Sequence, residues 1–187
     1  TLCLNGLFGF VASVPDRLGR RAGFQNPHLK ITMPGPFRED RRKQLFGSLS
    51  HIDFLFHQPY DSFDSYINWL KTACEDPDVT MIEQTIYRTD SDSRIVKVLK
   101  SAAQAKKKVR VMLELRARFD ESNNLRVAEE LSKAGVEVKF GFGNLKLHAK
   151  VTLVTRKEGE KTVRYTHLST GNYNAKTARQ YTDISIF

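Results

Sequence analysis

The sequence contains few cysteines, and their spacing matches neither a metal site nor a redox centre. Cys3 and Cys74 are the only two cysteines among 187 residues. They lie far apart along the chain, unlike the closely spaced pairs that bind metals. Two scattered cysteines are typical of a protein in a reducing compartment such as the cytoplasm. The sequence therefore argues against a disulfide-stabilised secreted domain and against a cysteine-ligated metal centre.

The sequence also lacks an apolar run long enough to span a membrane. The fairly apolar stretch 2–14 has no basic leader and contains Asn5 and Ser13, so we do not interpret it as a signal peptide. The sequence shows neither an internal repeat nor a low-complexity segment. Because it begins without methionine and ends in a strand-like run, we expect it to be a piece of a larger protein.

Acidic residues are outnumbered by basic ones. Lysine and arginine total 30 against 21 aspartates and glutamates, which gives a formal net charge of +9. Such an excess predicts a polyanionic partner, which could be nucleic acid, inorganic phosphate chains, nucleotides or an anionic membrane surface. Charge alone does not choose among them, and a basic surface that only aids solubility is the alternative.

Prolines and apolar periodicity divide the chain into two parts. Four prolines interrupt residues 1–45, which we interpret as the end of a preceding domain and a linker. Residues 46–187 form the main domain, in which apolar patterns predict strands at 52–56, 79–87, 109–115, 136–140, 145–151, 162–168 and 182–187, and helices at 63–74, 93–107 and 124–134. Short connections between alternating strands and helices predict an α/β sandwich with a mixed, largely parallel sheet.

The most informative stretch is residues 145–151. We interpret it as a strand on which Lys146, His148 and Lys150 share one face, because side chains alternate across a strand. The opposite face would bury the apolar residues Leu145, Leu147, Ala149, Val151 and Leu153. An imidazole between two ammonium groups suits an anionic substrate. The alternative is a half-exposed strand histidine between two solvated lysines.

Two arginines follow strands that we expect to be neighbours. Arg88 comes directly after the strand 79–87, and Arg118 follows the strand 109–115. Ligands of open α/β sheets gather beyond the carboxyl ends of the strands, and arginine holds phosphate oxygens with a fixed fork of donors. The pair therefore predicts a phosphate site. The alternative is that Arg118 forms a surface ion pair with a neighbouring carboxylate.

His148 is the candidate nucleophile. An imidazole attacks phosphorus only when it is neutral, and nearby cations disfavour the imidazolium form. Attack would leave a phosphohistidine, with a carboxylate or a backbone carbonyl orienting the ring; Glu83 and Glu114 are the candidates. The turn at Gly171 and Asn172 can offer an amide and backbone N–H groups to an oxyanion, although its composition also suits an ordinary turn.

Several motifs together resemble the bacterial polyphosphate kinases of the phospholipase D-like superfamily. The resemblance is dense from about residue 54 onward. It is carried by Lys146-Leu147-His148-Ala149-Lys150, by Glu83-Gln84-Thr85-Ile86-Tyr87-Arg88, by Glu114-Leu115-Arg116-Ala117-Arg118, by Ser169-Thr170-Gly171-Asn172-Tyr173-Asn174 and by Lys176-Thr177-Ala178-Arg179-Gln180-Tyr181-Thr182-Asp183. It implies a phospholipase D-like α/β sandwich, of which residues 46–187 would be the first of two similar halves.

The resemblance also implies roles for individual residues. His148 would become phosphorylated, and Tyr181 would contact ATP. The residues themselves, not the resemblance, predict Lys150 and Asn172 as the catalytic partners of His148. Arg88 and Arg118 would match the family's pair at a site for Mg²⁺ and phosphate. Because arginine has no lone pair for a metal, we expect both to hold phosphate oxygens beside the Mg²⁺ cofactor.

The implied reaction is reversible transfer of the ATP γ-phosphate onto polyphosphate. ATP, ADP and inorganic polyphosphate would be the partners and nucleic acid would not, in an oligomer of the cytoplasm or of its membrane face. Thr155 occupies the position of the superfamily's usual aspartate, and a second half with another histidine is missing, so we expect this piece alone to be inactive. The alternatives are a phospholipase D-like phosphodiesterase or nuclease half-site and a non-catalytic polyanion-binding module.

Overall fold

The computed structural model describes residues 31–89, 92–117, 121–141, 143 and 145–187. Its strands are β1 (Leu55–Gln58), β2 (Val79–Ile86), β3 (Lys108–Leu113), β4 (Glu137–Phe140), β5 (Lys150–Glu158), β6 (Lys161–Ser169) and β7 (Asp183–Ile186). Its α-helices are α1 (Leu45–Leu49), α2 (Asp64–Glu75), α3 (Arg94–Gln104) and α4 (Glu121–Lys133), with 3₁₀ turns at Gly35–Phe37, Arg42–Gln44 and Thr177–Arg179. In this part of the chain, no helix is both long and apolar enough to cross a membrane.

The described strands form one mixed sheet in the order β1-β7-β6-β5-β2-β3-β4. β2, β3 and β4 pair in parallel, whereas the other neighbours, from β1 across to β2, pair antiparallel. The predicted α/β class and mixed sheet are confirmed, but the expectation of a largely parallel sheet holds only for the β2–β4 half. The reason is the hairpin of β5 and β6, which reverses the chain at Gly159, where φ is +60°.

The predicted elements are found in the predicted order, with shifted boundaries. The helix expected at 93–107 ends at Gln104, and its start is fixed by Ser93, whose side chain accepts a hydrogen bond from the Val96 N–H. Ile95, Leu99 and Ala102 form its buried stripe. The first strand is displaced from 52–56 to Leu55–Gln58.

The domain boundary near residue 45 stays a prediction, but part of the expected linker packs against the main domain. Phe37 is fully buried, and its ring contacts the rings of Phe54, Phe56 and Phe187 at centroid distances of 5.2, 4.9 and 4.8 Å. Leu45 is also fully buried. Residues 31–45 therefore contribute apolar side chains to the core of the described domain.

The expectation that residues 145–151 form a strand is wrong in its start and in its buried face. β5 begins only at Lys150, and the core side carries Lys150, Thr152 and Val154. Leu145, which was expected to be buried, is 78% exposed. The pairing of β5 with β2 explains this face, because it sets Val154 opposite the buried Ile82. Residues 145–149 lie outside the hydrogen-bonded ladder.

A buried polar cluster includes His167, which is only 2% exposed. Its Nδ1 lies 3.0 Å from the hydroxyl of Tyr173, which accepts a hydrogen bond of 2.9 Å from Thr152. Thr152 is also 2.9 Å from the hydroxyl of Tyr66. Each of these buried groups therefore has a hydrogen-bond partner. The sequence interpretation of His167 as a structural residue is confirmed.

The buried position of His167 predicts a loss of stability in acid. Burial lowers the pKa of His167 to about 3, whereas an unfolded histidine has a pKa of about 6.5. Between these values the unfolded chain binds the additional proton, so the free energy of unfolding falls as pH decreases, by about 1.4 kcal/mol per pH unit. Urea denaturation at pH 6.5, 5.5 and 4.5 should show that the free energy of unfolding falls less steeply for His167→Gln than for the wild-type protein. Equal decreases in the two proteins would show that another group titrates.

Candidate active site

Side chains from the ends of β2 and β3 hold the backbone on both sides of His148. Glu114 Oε2 accepts a hydrogen bond of 2.7 Å from the Leu147 N–H. Thr85 Oγ1 donates to the Ala149 carbonyl at 2.7 Å and accepts from the Val151 N–H at 3.0 Å. The segment that bears His148 is thus fixed by side chains, since it has no strand partner of its own.

Glu114 is a buried carboxylate with 5% exposure. Besides the Leu147 N–H, it accepts a hydrogen bond of 2.7 Å from the Arg116 N–H. The side-chain amide of Asn124 donates to the Glu114 carbonyl at 2.8 Å and to the Tyr87 carbonyl at 3.0 Å, which joins the ends of β3 and β2. Glu114 therefore positions the backbone next to His148 and does not orient its ring.

Glu83, the other candidate for orienting the imidazole, lies elsewhere. It forms an ion pair with Arg110 at 2.9 Å. Its neighbours Ile82 and Gln84 point into the core, so Glu83 lies on the opposite face of the sheet. The structure therefore gives Glu83 no part in the site.

The His148 side chain is exposed and surrounded by cations. Lys150 Nζ is 3.3 Å from Nδ1 and 3.1 Å from Nε2 of the imidazole. Partial desolvation lowers the pKa of His148, and the charges of Lys150, Lys146 and Arg88 lower it further. These neighbours favour the neutral imidazole, which is the form that can act as a nucleophile.

Tyr87 is a site residue that the sequence analysis did not identify. Its ring is 4.8 Å from the imidazole of His148, edge to face with an interplanar angle of 76°. Arg88 Cζ, Lys146 Nζ and Lys150 Nζ lie 5.5, 5.7 and 5.5 Å from its centroid. The sequence signals for Tyr87 are its place directly before Arg88 at a strand end and its membership of a motif that carries the family resemblance.

Asp183 is the second site residue that the sequence analysis missed. Burial lowers the pKa of Lys150, the charge of Asp183 opposes this effect, and Arg88 adds to it. Asp183 also accepts a hydrogen bond of 2.8 Å from Thr170 Oγ1, which holds the turn that leads to Asn172. This carboxylate thus links the candidate residues Lys150 and Asn172.

Gly171 allows Asp183 to approach the turn closely. A Cβ atom at residue 171 would lie 2.6, 2.7 and 2.9 Å from Oδ2, Cγ and Cβ of Asp183. The Gly171 N–H donates to Ser169 Oγ at 3.0 Å. A side chain at this position would therefore displace the turn or the carboxylate.

We expect Gly171→Ala to lower the free energy of unfolding by about 1–3 kcal/mol, because the added methyl group overlaps Asp183. Gly47→Ala is the matched control. Gly47 lies in α1, and a Cβ there would have no described atom within 4 Å, so this change should stabilise the protein by about 0.5–1 kcal/mol. Denaturant unfolding of both variants measures the difference. Equal stabilities would contradict the close packing of Asp183 on Gly171.

The predicted phosphate- and ATP-binding residues differ in how far the structure describes them. The structure brings Arg88 to the site with His148 and Lys150, and the parallel pairing of β2 with β3 confirms that their ends are neighbours. Arg118 lies outside the described residues. Tyr181 follows the 3₁₀ turn and its side chain is 62% exposed, so its ring is accessible to a ligand.

The described residues show no group of three or more histidine, cysteine, aspartate or glutamate side chains that could hold a metal ion. Mg²⁺ is commonly bound by one or two carboxylates together with substrate phosphates. The cations around His148 suit the oxygens of such phosphates.

Comparisons with known proteins place these features in one family. The family profile described as polyphosphate kinase C-terminal domain 1 matches residues 44–187. Polyphosphate kinase 1 of Chlorobaculum tepidum is 48% identical over 151 residues, which cover 81% of this chain and 22% of that protein. Polyphosphate kinase of Xylella fastidiosa strain Temecula1 is 46% identical over 160 residues, 86% of this chain and 23% of its own length. The chain spans about a fifth of these relatives.

Two solved structures resemble the described fold. The crystal structure of polyphosphate kinase from Porphyromonas gingivalis has a TM-score of 0.68 and 36% identity, covering 92% of this chain and 30% of that one. The phospholipase D family member Nuc from Salmonella typhimurium has a TM-score of 0.54 and 15% identity, covering 72% of this chain and 80% of that one. The second likeness supports the phospholipase D-like fold alone.

Proposed function

Because the chain belongs to the polyphosphate kinase family, we propose that its full-length protein transfers the ATP γ-phosphate reversibly to inorganic polyphosphate through a phosphohistidine at His148. The observation that carries this proposal is the exposed imidazole with Lys150, Lys146 and Arg88 around it. Partial desolvation lowers the pKa of His148, and these three cations lower it further. Such surroundings favour the neutral imidazole and suit an anionic substrate.

The proposed reaction proceeds in two displacements. A ring nitrogen of His148 attacks the γ-phosphorus, a P–N bond forms, and the P–O bond to ADP breaks with its electron pair leaving on ADP. A terminal oxygen of polyphosphate then attacks the same phosphorus, and the P–N bond breaks to restore the neutral imidazole. Because the transferred group carries negative charge throughout, the surrounding cations stabilise both transition states.

The remaining candidates serve the phosphates. Lys150 neutralises the transferred group, and Asn172 donates its amide to a phosphate oxygen. Arg88 and Arg118 hold phosphate oxygens with their guanidinium forks, and Tyr181 contacts the nucleotide. Mg²⁺ bound to the nucleotide phosphates would neutralise the charge that develops on the leaving ADP.

The matched part covers only 22–23% of the relatives' length, so we infer that the whole protein is longer and that this chain supplies one phospholipase D-like half. We therefore expect the 187-residue chain to be inactive alone. The full-length protein is proposed to act as an oligomer in the cytoplasm or at the inner face of the membrane, with ATP, ADP and polyphosphate as ligands.

Incubation of the full-length protein with γ-labelled ATP and Mg²⁺ tests this function. An acid-labile, alkali-stable label on the protein, followed by labelled polyphosphate, supports the kinase. Release of a phosphodiester product would support the phospholipase D-like hydrolase, against which Thr155 counts. Salt-sensitive polyphosphate binding without any label would leave only a polyanion-binding module.

A further inference from the structure

The ring of Tyr87 is the point at which the cations of the site meet. Arg88 Cζ, Lys146 Nζ and Lys150 Nζ lie between 5.5 and 5.7 Å from its centroid, inside the distance of about 6 Å at which a cation is attracted to an aromatic face. Arg88 follows β2, whereas Lys146 precedes β5 and Lys150 is its first residue. The ring therefore connects parts of the chain that are distant in sequence.

Three positive charges so close together repel each other, and an aromatic ring offsets part of this repulsion without neutralising them. The ring carries a negative quadrupole on its face, so it attracts cations but leaves their charges available to a phosphate. A carboxylate in the same place would pair with the cations and repel the substrate. Among the described residues, the carboxylate of Asp183 acts on Lys150, whereas the carboxylate of Glu114 is bound by the backbone N–H groups of Leu147 and Arg116.

The ring of Tyr87 is itself held in place. The residue is only 9% exposed, and its carbonyl accepts a hydrogen bond of 3.0 Å from the buried amide of Asn124. The edge-to-face contact with His148, at 4.8 Å, then fixes the imidazole relative to the same ring. Tyr87 is thus a rigid element between the core and the exposed groups of the site.

We propose that Tyr87 is a positioning residue for phosphoryl transfer, whose ring holds Lys146, Lys150 and Arg88 around His148 so that they contact the incoming phosphate together. This inference rests on the proposed function. We assign this role to the ring and not to the hydroxyl, because the contacts with His148, Arg88, Lys146 and Lys150 are all made to the ring. A phenylalanine at position 87 should therefore preserve the positioning role, whereas a leucine should not.

The test compares Tyr87→Phe and Tyr87→Leu in the full-length protein. We expect kcat for polyphosphate synthesis to stay within about threefold for the phenylalanine variant and to fall about tenfold for the leucine variant. Tyr60→Leu is the matched control, because Tyr60 also contacts a histidine ring, that of His57 at 4.9 Å, and has no part in the proposed mechanism. The kcat of the Tyr60→Leu variant should be unchanged. Equal losses in the phenylalanine and leucine variants, or none in either, would overturn the proposal.

A double-mutant cycle separates positioning from a merely structural role. Lys146→Ala should reduce kcat by about two- to fivefold more in the wild-type background than in the Tyr87→Leu background. The reason is that the contact between Lys146 and the ring is already absent when position 87 is leucine. Additive effects would overturn the proposal.

Crystal structures of both Tyr87 variants supply a measurement that needs no activity. The cations should remain near the ring with phenylalanine and move apart with leucine. A full-length protein without kinase activity would overturn the proposed function, while these structures would still decide the role of Tyr87.

Discussion

Replacement of His148 by alanine in the full-length protein is expected to reduce polyphosphate synthesis by at least about 10³-fold, because the nucleophile that accepts the phosphoryl group is removed. The initial rate with saturating ATP and polyphosphate primer measures this loss. His51→Ala is the matched control, since His51 is also an exposed histidine and has no part in the proposed mechanism. Near-normal synthesis by the His148 variant would contradict the proposal.

The same account predicts the pH dependence of the first displacement. Desolvation and the neighbouring cations lower the pKa of His148, so the reactive neutral form persists below the ordinary histidine pKa of about 6.5. The rate of protein labelling should therefore remain high through pH 6.5 and fall only in more acidic solution.

The second large effect is expected from Glu114→Gln, which should reduce kcat about 10²-fold. The carboxylate accepts two short hydrogen bonds, from Leu147 and Arg116, each of 2.7 Å. A glutamine has one acceptor oxygen, and its NH₂ group would face one of these N–H donors. The segment that carries His148 would shift, and a displacement of about 1 Å can reduce the rate of an enzyme about 10²-fold.

Glu83→Gln is the matched control for this prediction. Glu83 is paired with Arg110 on the other face of the sheet, with both side chains about one-third exposed, at 31% and 35%. Loss of such a solvent-exposed pair should change stability little, and kcat should be unchanged. Steady-state kinetics and thermal denaturation of both variants measure the contrast. Similar kcat values for the two variants would show that Glu114 does not position His148.

The sequence predicted the order of the elements well because each has a local signal. The amphipathic period of α3 and its Ser93 cap, and the turn at Gly159 between β5 and β6, depend on residues close together in the chain. The neighbouring ends of β2 and β3 followed from the short connection through α3. These local features predict that Arg88 lies at the carboxyl ends of the two strands.

The local structure around His148 could not be predicted in the same way. Both faces of β5 carry apolar residues, such as Val151 and Val154, so alternation does not show which face is buried. The segment before Lys150 is held by Thr85 and Glu114, which are distant in sequence and act through side-chain hydrogen bonds to the backbone. Periodicity contains no information on such contacts.

The residues that sequence analysis missed have a related explanation. The sequence predicts Tyr87 as the end of a strand, and its role depends on three cations that only the fold brings to its ring. Asp183 belongs to a motif that was recognised, but its approach to Gly171 and Lys150 depends on the pairing of β7 with β6. Both are consequences of tertiary contacts between distant segments.

The most direct test of the central claim is to locate the phosphoryl group on the full-length protein. The protein is incubated with ATP and Mg²⁺, digested under mildly alkaline conditions that preserve phosphohistidine, and analysed by tandem mass spectrometry. The account predicts a phosphoryl group on His148 that disappears when ADP or polyphosphate is added. A phosphoryl group on another residue with His148 unmodified, in a protein that synthesises polyphosphate, would contradict it.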